Sequence, residues 1–201
     1  MAKNCLQYLH QNYNLRLVEH NNHYGGILMI IKALPQRIPT RLSNYDYSTN
    51  GAYYITMCTH QKKHLFGKII DGRMYLNTLG AIANDEWIKL RERFPQTNFD
   101  IYQIMPNHIH AIIAMGIDDE IDLLIDEVTQ NPDLNSIIAA FKSIVSKRYN
   151  KHCRENDIPL HPSMWQRSFY DHIIRSEEGF RMIADYIWHN PINWELDKYN
   201  R

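Results

Sequence analysis

Net charge is the first thing this chain lacks: Lys and Arg together number 22, and so do Asp and Glu, over 201 residues. That excludes a global basic field of the kind that coats DNA without regard to sequence, so any nucleic-acid contact must come from local patches and shaped recognition. Cysteine is scarce as well. Cys5, Cys58 and Cys153 are scattered and odd in number, which argues against a disulfide framework and for a reducing, cytoplasmic setting. Long apolar runs are missing: the most apolar stretch, GGILMIIKAL, is far too short to span a bilayer. It also begins too far in, behind too many polar residues, to serve as a secretory signal. Internal repeats and low-complexity segments are absent. What is present suffices for one domain with trimmings, since 44% hydrophobic residues over this length can bury a real core.

Organisation along the chain is uneven. Residues 1–33 have mixed polarity and weak periodicity, broken by the cluster NNHYGG, and no role follows for them. In one reading Met29 is an alternative start and MIIKALPQRIPTRL a short basic arm; in the other, an extra strand or helix packs on the outside. From Tyr45 the signals sharpen. GAYYITMCTH (51–60) is rich in β-branched and aromatic residues and predicts a strand. HLFGKIIDGRMYLN (64–77) predicts a hairpin turning at Asp71-Gly72. Thr78 is placed to cap a helix running to about Arg93, with Ile82, Trp87 and Leu90 inward and Pro95 as terminator.

Further on, FDIYQIM (99–105) predicts a strand, Pro106-Asn107 a break, and HIHAIIAM (108–115) the next strand. The acidic run DDEIDLLIDEVTQNPD (118–133) predicts a solvated loop or short helix. NSIIAAFKSIVSKRY (135–149) has helical spacing, with Ile138, Phe141 and Val145 on one side and Lys142, Lys147 and Arg148 kept out. MWQRSFYDHII (164–174) predicts a strand or extended segment. SEEGFRMIADYIWHN (176–190) predicts a helix with a serine cap, an acidic first turn and Pro191 just past its end. Strands and helices alternate, and one strand pair is joined by a break too short for a crossover. The fold class is therefore α+β with an antiparallel sheet.

The segment MPNHIHAIIAMG (105–116) raises a chemical question, because imidazoles are costly to bury without partners. Side chains alternate across a strand, so His108, His110 and Ile112 share one face and Ile109, Ala111 and Ile113 the other. Two imidazoles so placed are spaced to grip one cation, and neutral histidine is a common metal ligand. The plainer alternative is a pair of surface or hydrogen-bonded histidines on a half-exposed strand, in a chain with eleven histidines. In the last helix Tyr186 and Asn190 lie one turn apart, about 40° from each other around the axis. They flank the apolar stripe Phe180, Ile183, Ala184 and Ile187, where a group half supported by the core reaches into a site. The plainer alternatives are a rim tyrosine and a residue that ends the helix before Pro191.

The stretches MPNHIHAI, WQRSFYDHIIR and DYIWHNPINW, in that order, resemble the REP-associated tyrosine transposases. These are single-tyrosine nucleases with a histidine–hydrophobic–histidine motif, related to the transposases of the smallest insertion sequences. RLSNYDYSTNGAYYITMCTHQKKHLFG is similar to that family's opening strand and its Leu-Phe-Gly turn, and the likeness runs from about Arg37 to Trp194. The resemblance implies a ferredoxin-like fold with His108 and His110 on a central strand. It implies Tyr186 as nucleophile and Asn190 as third metal ligand, where relatives carry glutamine. It divides the chain into an extension of unknown role, 1–36, and a catalytic domain, 37–201.

The same resemblance implies cleavage of single-stranded, hairpin-forming DNA through a 5′-phosphotyrosine, with a magnesium or manganese ion as cofactor. A free phenol, with a pKa near ~10, is a poor nucleophile at neutral pH, and a divalent ion offsets that. Magnesium prefers oxygen ligands, whereas imidazole suits manganese better, so weak, exchangeable binding is expected. A domesticated relative that binds hairpins without turnover is the alternative. Relatives include dimers that exchange the tyrosine helix and monomers that do not, so a homodimer is open. The expected location is cytoplasmic and nucleoid-associated, with no membrane contact.

DNA capture would fall to local features. FKSIVSKRYNKHCR (141–154) holds Lys142, Lys147, Arg148, Lys151 and Arg154 without an acidic residue, a phosphate track in outline. Lys32, Arg37 and Arg41 offer a basic arm, while Trp165, Arg167 and Tyr170 offer stacking and guanidinium contacts for unpaired bases. Basic helix faces are usually just solvated, and that alternative stands beside each of these. Tyr170, beside Asp171 and His172, is a rival nucleophile that lacks a one-turn partner like Asn190. A zinc site at His152, Cys153 and His161 is disfavoured by irregular spacing.

Overall fold

The computed structural model describes residues 15–21, 27–33, 46, 48–116 and 132–200. They belong to two units, Met1–Pro39 and Thr40–Arg201. In the first, β1 (Leu15–Asn21) and β2 (Ile27–Ala33) pair antiparallel, Leu15 opposite Ala33 and Asn21 opposite Ile27. Sequence had left that backbone open between strand and helix. Arg37, Arg41 and most of the acidic run lie outside the described residues.

The second unit begins with β3 (Gly51–Cys58), followed by the hairpin of β4 (Gly67–Ile70) and β5 (Arg73–Leu76). Helix α1 (Thr78–Ile88) and the single turn α2 (Leu90–Arg93) lead into β6 (Thr97–Met105) and β7 (His108–Met115). Helix α3 (Leu134–Glu155), β8 (Tyr170–Ile174) and α4 (Glu177–His189) complete the order. The main sheet runs β6-β7-β3-β8 with every neighbouring pair antiparallel. Two interleaved strand–helix–strand units, β3-α1-β6 and β7-α3-β8, make this the ferredoxin-like arrangement, with β7 and β3 at its centre. Among the described residues no helix is long and apolar enough to cross a membrane.

Local chemistry explains the boundaries. Asp71 and Gly72 both take positive φ (51° and 69°), the mirror-image turn that closes a two-residue hairpin. The cap of α1 is Asn77, whose side chain accepts from the Gly80 N–H at 3.0 Å, one residue ahead of the expected Thr78. Either type caps well; Asn77 wins because its amide also donates to the Leu65 carbonyl and anchors the turn. The helix expected to run unbroken to Arg93 is instead interrupted at Lys89. Of the segment 164–174 only Tyr170–Ile174 is strand, joined upstream by a lone bridge between Thr59 and Trp165.

Alternation then sorts the two faces of the sheet. Ile109, Ala111, Ile113 and Met115 of β7 stand beside Tyr53, Ile55 and Met57 of β3 in one buried cluster. Helices α1 and α3 cover that face with Leu79, Ala83, Trp87, Ile138, Phe141 and Val145. The opposite face, carrying His108 and His110, is met by α4, which touches β6 and β7. Burial on both faces is why β7 is buried nearly end to end.

Gly80 gives a test of this packing by sign. Helix propensity alone makes Gly80→Ala stabilising by about 0.8–1 kcal/mol. A methyl at Gly80 would, however, overlap the Phe66 carbonyl oxygen, which is fixed by the Asn77 N–H at 2.9 Å. Urea unfolding is expected to show the variant less stable than wild type, and a stabilised variant would contradict the close approach.

Candidate functional site

His108 and His110 are both fully buried, which rules out the half-exposed strand. Their ring centroids are 4.4 Å apart. The proton on His108 is placed by Asn107, itself without exposure. The Asn107 amide nitrogen donates to the Lys62 carbonyl at 3.1 Å and the Tyr199 carbonyl at 2.8 Å. Carbonyls only accept, so Asn107 Oδ1 must face His108 Nδ1, at 2.8 Å, and Nδ1 must carry the hydrogen. His108 Nε2 is then a bare lone pair. Similar logic holds at His110. Its Nδ1 lies 2.8 Å from the Tyr54 hydroxyl and 2.9 Å from Thr56 Oγ1, and Thr56 in turn donates to Tyr54 at 3.3 Å. Nδ1–H therefore donates to Thr56, leaving Nε2 as the acceptor.

Burial keeps both rings neutral. It pushes His108 down to about 3, with the Lys198 and Lys62 charges adding to the effect. It holds His110 well below the ordinary histidine value, helped by His108 and Lys198.

A carboxylate that sequence reading missed completes the cluster. Asp197 Oδ2 lies 3.6 Å from His108 Nε2, while its Oδ1 accepts from the Tyr199 N–H at 2.7 Å. Among the described residues, His108, His110 and Asp197 are the one group of three such side chains whose ligand atoms all lie within 4.8 Å of one another. His108 Nε2, Asp197 Oδ2 and Asn190 Oδ1 are buried and have no hydrogen-bond partner. Three orphaned acceptors, two neutral imidazoles and one carboxylate fit a divalent cation.

Helix α4 brings up the phenol. Ser176 caps it, accepting from the Gly179 N–H at 3.1 Å as its sequence predicts. Ile187 is its one buried residue, and Asn190, the C-cap, keeps helical angles (φ −58°, ψ −41°) and so stays in phase with Tyr186. The Tyr186 hydroxyl lies 3.4 Å from His110 Nε2. The structure thus brings together Tyr186, His108 and His110, with Asn190 beside Tyr186 on the wall of one cleft. The cleft, of about 610 Å³, is lined also by Tyr54, Tyr170, Asp197 and Lys198. Burial raises the Tyr186 phenol above its ordinary value, as does Asp197, while Asn190 and Tyr54 act the other way.

The remaining candidates are spread out. Tyr170 pairs with Thr56 across β8 and β3 and so shares the histidines' face; its ring is edge-on to Tyr54 at 6.4 Å. Lys147 and Arg167 are exposed. Lys142, expected to stay out, turns in and donates to the Gln166 and Ser168 carbonyls, both at 3.1 Å. Trp165 packs on Phe66 and Phe141 in the core. Arg148 is held by Glu86 at 2.6 Å, and α3 as a whole covers the sheet face opposite the histidines. The supposed phosphate track therefore belongs to the far layer. Lys198 lines the cleft, and the Nζ atoms of Lys198 and Lys62 lie 5.1 and 5.0 Å from the Tyr199 ring.

The Asn107 arrangement is testable through stability. Asn107→Ala and the near-isosteric Asn107→Asp are both expected to cost about 2–4 kcal/mol in urea unfolding, because neither can donate to the two carbonyls. An aspartate variant as stable as wild type would show that the amide does not hold them.

Comparison with known proteins agrees on one family. The sequence model of the family described as "Transposase IS200 like" matches residues 47–190. An uncharacterised protein of Haemophilus influenzae is 37% identical over 167 residues, 79% of this chain and 89% of that one. A second protein of that organism, provisionally named a REP-associated tyrosine transposase, is 27% identical over 158 residues, 75% of this chain and 77% of its own. A solved structure of a REP-associated tyrosine transposase bound to a REP hairpin covers 79% of this chain and 76% of its own, with a TM-score of 0.49 at 18% identity. The family match takes in both histidines, Tyr186 and Asn190, and on its strength this chain belongs to the IS200-like transposases, a family of DNA-processing enzymes.

Proposed function

We propose that this chain is a metal-dependent endonuclease and strand transferase of single-stranded, hairpin-forming DNA, working through a covalent 5′-phosphotyrosine on Tyr186. The observation that carries this reading is the 3.4 Å contact between the Tyr186 hydroxyl and His110 Nε2, which joins a phenol on the cleft wall to the buried His108–His110–Asp197 cluster behind it. His108, His110 and Asn190 are the proposed protein ligands of a magnesium or manganese ion. When bound, that ion supplies positive charge beside the reacting phosphate and lowers the cost of ionising a phenol.

The chain's own groups do the rest. Tyr186 oxygen attacks phosphorus; its bond to phosphorus forms as the bond to the 3′ oxygen breaks, and the departing oxygen ends as a 3′-OH carrying the proton lost from the phenol. Attack by another 3′-OH on the phosphotyrosine reverses the step and joins strands. Thr56 and Asn107 hold the imidazoles in one tautomer throughout, and such second partners tune a ligand's basicity and orientation. Lys198 favours a phosphodiester in the cleft, and Tyr170 offers an exposed ring for an unpaired base. Arg167 is exposed enough to extend the contact, whereas Lys147, also exposed, lies with α3 in the far layer and remains a proposal from sequence. Arg37, Arg41, Lys142, Arg148 and Trp165 remain proposals from sequence, the last three with internal roles as well.

The name carried by the second Haemophilus relative supports repeat hairpins as the substrate class. One chain supplies phenol and both histidines, so a homodimer is compatible but not required. The proposed location is the cytoplasm, at the nucleoid.

Two measurements test the reading. Tyr186→Phe is expected to abolish the covalent protein–DNA band on denaturing gels with single-stranded hairpin DNA and manganese, while leaving the native-gel shift; full cleavage by this variant would refute the assignment. His108→Ala combined with His110→Ala is expected to remove metal-dependent cleavage, at least a hundredfold, with binding retained. A wild-type protein that shifts hairpins on native gels but never forms the covalent band would instead be a non-catalytic binder.

A further inference from the structure

Asp197 lies past the end of the family match at Asn190, in the segment that turns back over the sheet after α4. Its carboxylate is aimed. One oxygen is fixed by the Tyr199 N–H at 2.7 Å, so the other, Oδ2, points at His108 Nε2 across 3.6 Å. Asp197 is 2% exposed and His108 not at all, and neither facing atom has a hydrogen-bond partner. Because Asn107 requires the His108 hydrogen on Nδ1, two acceptors confront each other with no hydrogen between them. Two donor atoms sharing one magnesium- or manganese-sized ion, at bonds of about 2.1 Å, stand about 3.0–4.2 Å apart, and 3.6 Å falls inside that span.

We propose that Asp197 is a further protein ligand of the divalent ion held by His108 and His110, so that the C-terminal segment is part of the metal site. Donor chemistry favours it. Two imidazoles alone suit transition metals, whereas a carboxylate oxygen adds the hard, anionic donor that magnesium and manganese prefer. The segment is already tied to the histidine strand, since Asn107 holds the Tyr199 carbonyl at 2.8 Å. Asn200 closes the segment on itself through the Trp194 carbonyl at 3.1 Å. An ion bridging Asp197 to His108 adds a second tie. The proposal rests on reading the histidines as metal ligands and is independent of Tyr186 as nucleophile.

The test is manganese binding to the full chain without DNA, followed by electron paramagnetic resonance and calorimetry. Asp197→Asn keeps the shape and the acceptor for Tyr199, and is expected to weaken manganese binding at least about tenfold, with magnesium competition weakened at least as much. His108→Ala is the positive control for loss. Wild-type affinity in the Asn variant, with loss in His108→Ala, would overturn the proposal and leave Asp197 as a simple ion-pair partner. Absence of manganese binding by wild type at millimolar concentration would overturn it too. Should the Asn variant fold poorly, hydrogen exchange on the wild type decides: manganese is expected to slow exchange of the 197–200 amides at least about fivefold, and no change would sink the idea. Loss of binding in Asp197→Asn together with cleavage by Tyr186→Phe would leave this proposal standing and remove the nucleophile assignment instead.

Discussion

Along β7 each successive side chain must serve a different environment. Ile109, Ala111 and Ile113 enter a dry cluster under α1 and α3, and His108 and His110 enter an equally buried but polar layer under α4. A strand covered on both sides gives its polar residues no water, so every ring nitrogen must find a partner within the protein. The Nδ1 atoms find them in Asn107, Tyr54 and Thr56. The Nε2 atoms differ: His108 Nε2 has no partner, and His110 Nε2 meets the Tyr186 hydroxyl at 3.4 Å. His108 Nε2, Asp197 Oδ2 and Asn190 Oδ1 are all orphaned, and each unsatisfied buried acceptor costs about 1–3 kcal/mol.

How much of this was legible in the sequence differs by element. Period-two alternation placed His108 and His110 on one face, and the i,i+4 relation put Tyr186 and Asn190 together, because both periods are local geometry. The hairpin at Asp71-Gly72 was equally plain, since two positive φ angles demand that chemistry. Asp197 was not legible. It sits in a segment without periodicity, and only the reversal of the chain after Pro191 carries it back to His108. Asn107 had one visible signal, a carboxamide next to a buried ligand, but its role depends on carbonyls of Lys62 and Tyr199 that are remote in sequence.

The basic residues of α3 show what a helical pattern leaves out. A helical wheel drew Lys142, Lys147 and Arg148 on the outside of α3, and a wheel knows nothing of neighbouring loops or helices. Lys142 sets its ammonium 5.8 Å from the Trp165 ring centroid and 6.0 Å from that of Phe169, and spends it on two carbonyls. Arg148 meets the buried Glu86, which burial alone would push upward but which Arg93 and Arg148 hold below the ordinary carboxylate value. Arg148 thereby joins α3 to α1, and Lys142 joins α3 to the segment before β8. Lys198, which does line the cleft, comes from the C-terminal segment, where no periodicity marks it.

Three phenols, Tyr54, Tyr170 and Tyr186, surround the cleft, and their surroundings separate what each is fitted to do. Tyr54 is committed: its hydroxyl is bonded on the Nδ1 side of His110, and burial raises its pKa far above the ordinary value. Ionising it would cost most in so buried a place. Tyr170 stands on the edge strand with its ring open to solvent, close to Lys198, in a position that suits stacking. Tyr186 alone is bonded on the Nε2 side, where the orphaned acceptors converge, and it is carried by a helix anchored through few buried contacts. Its phenol is also raised, so as it stands the site disfavours the phenolate. For the proposed nucleophile, ionisation would then wait for added positive charge, such as the proposed ion would supply.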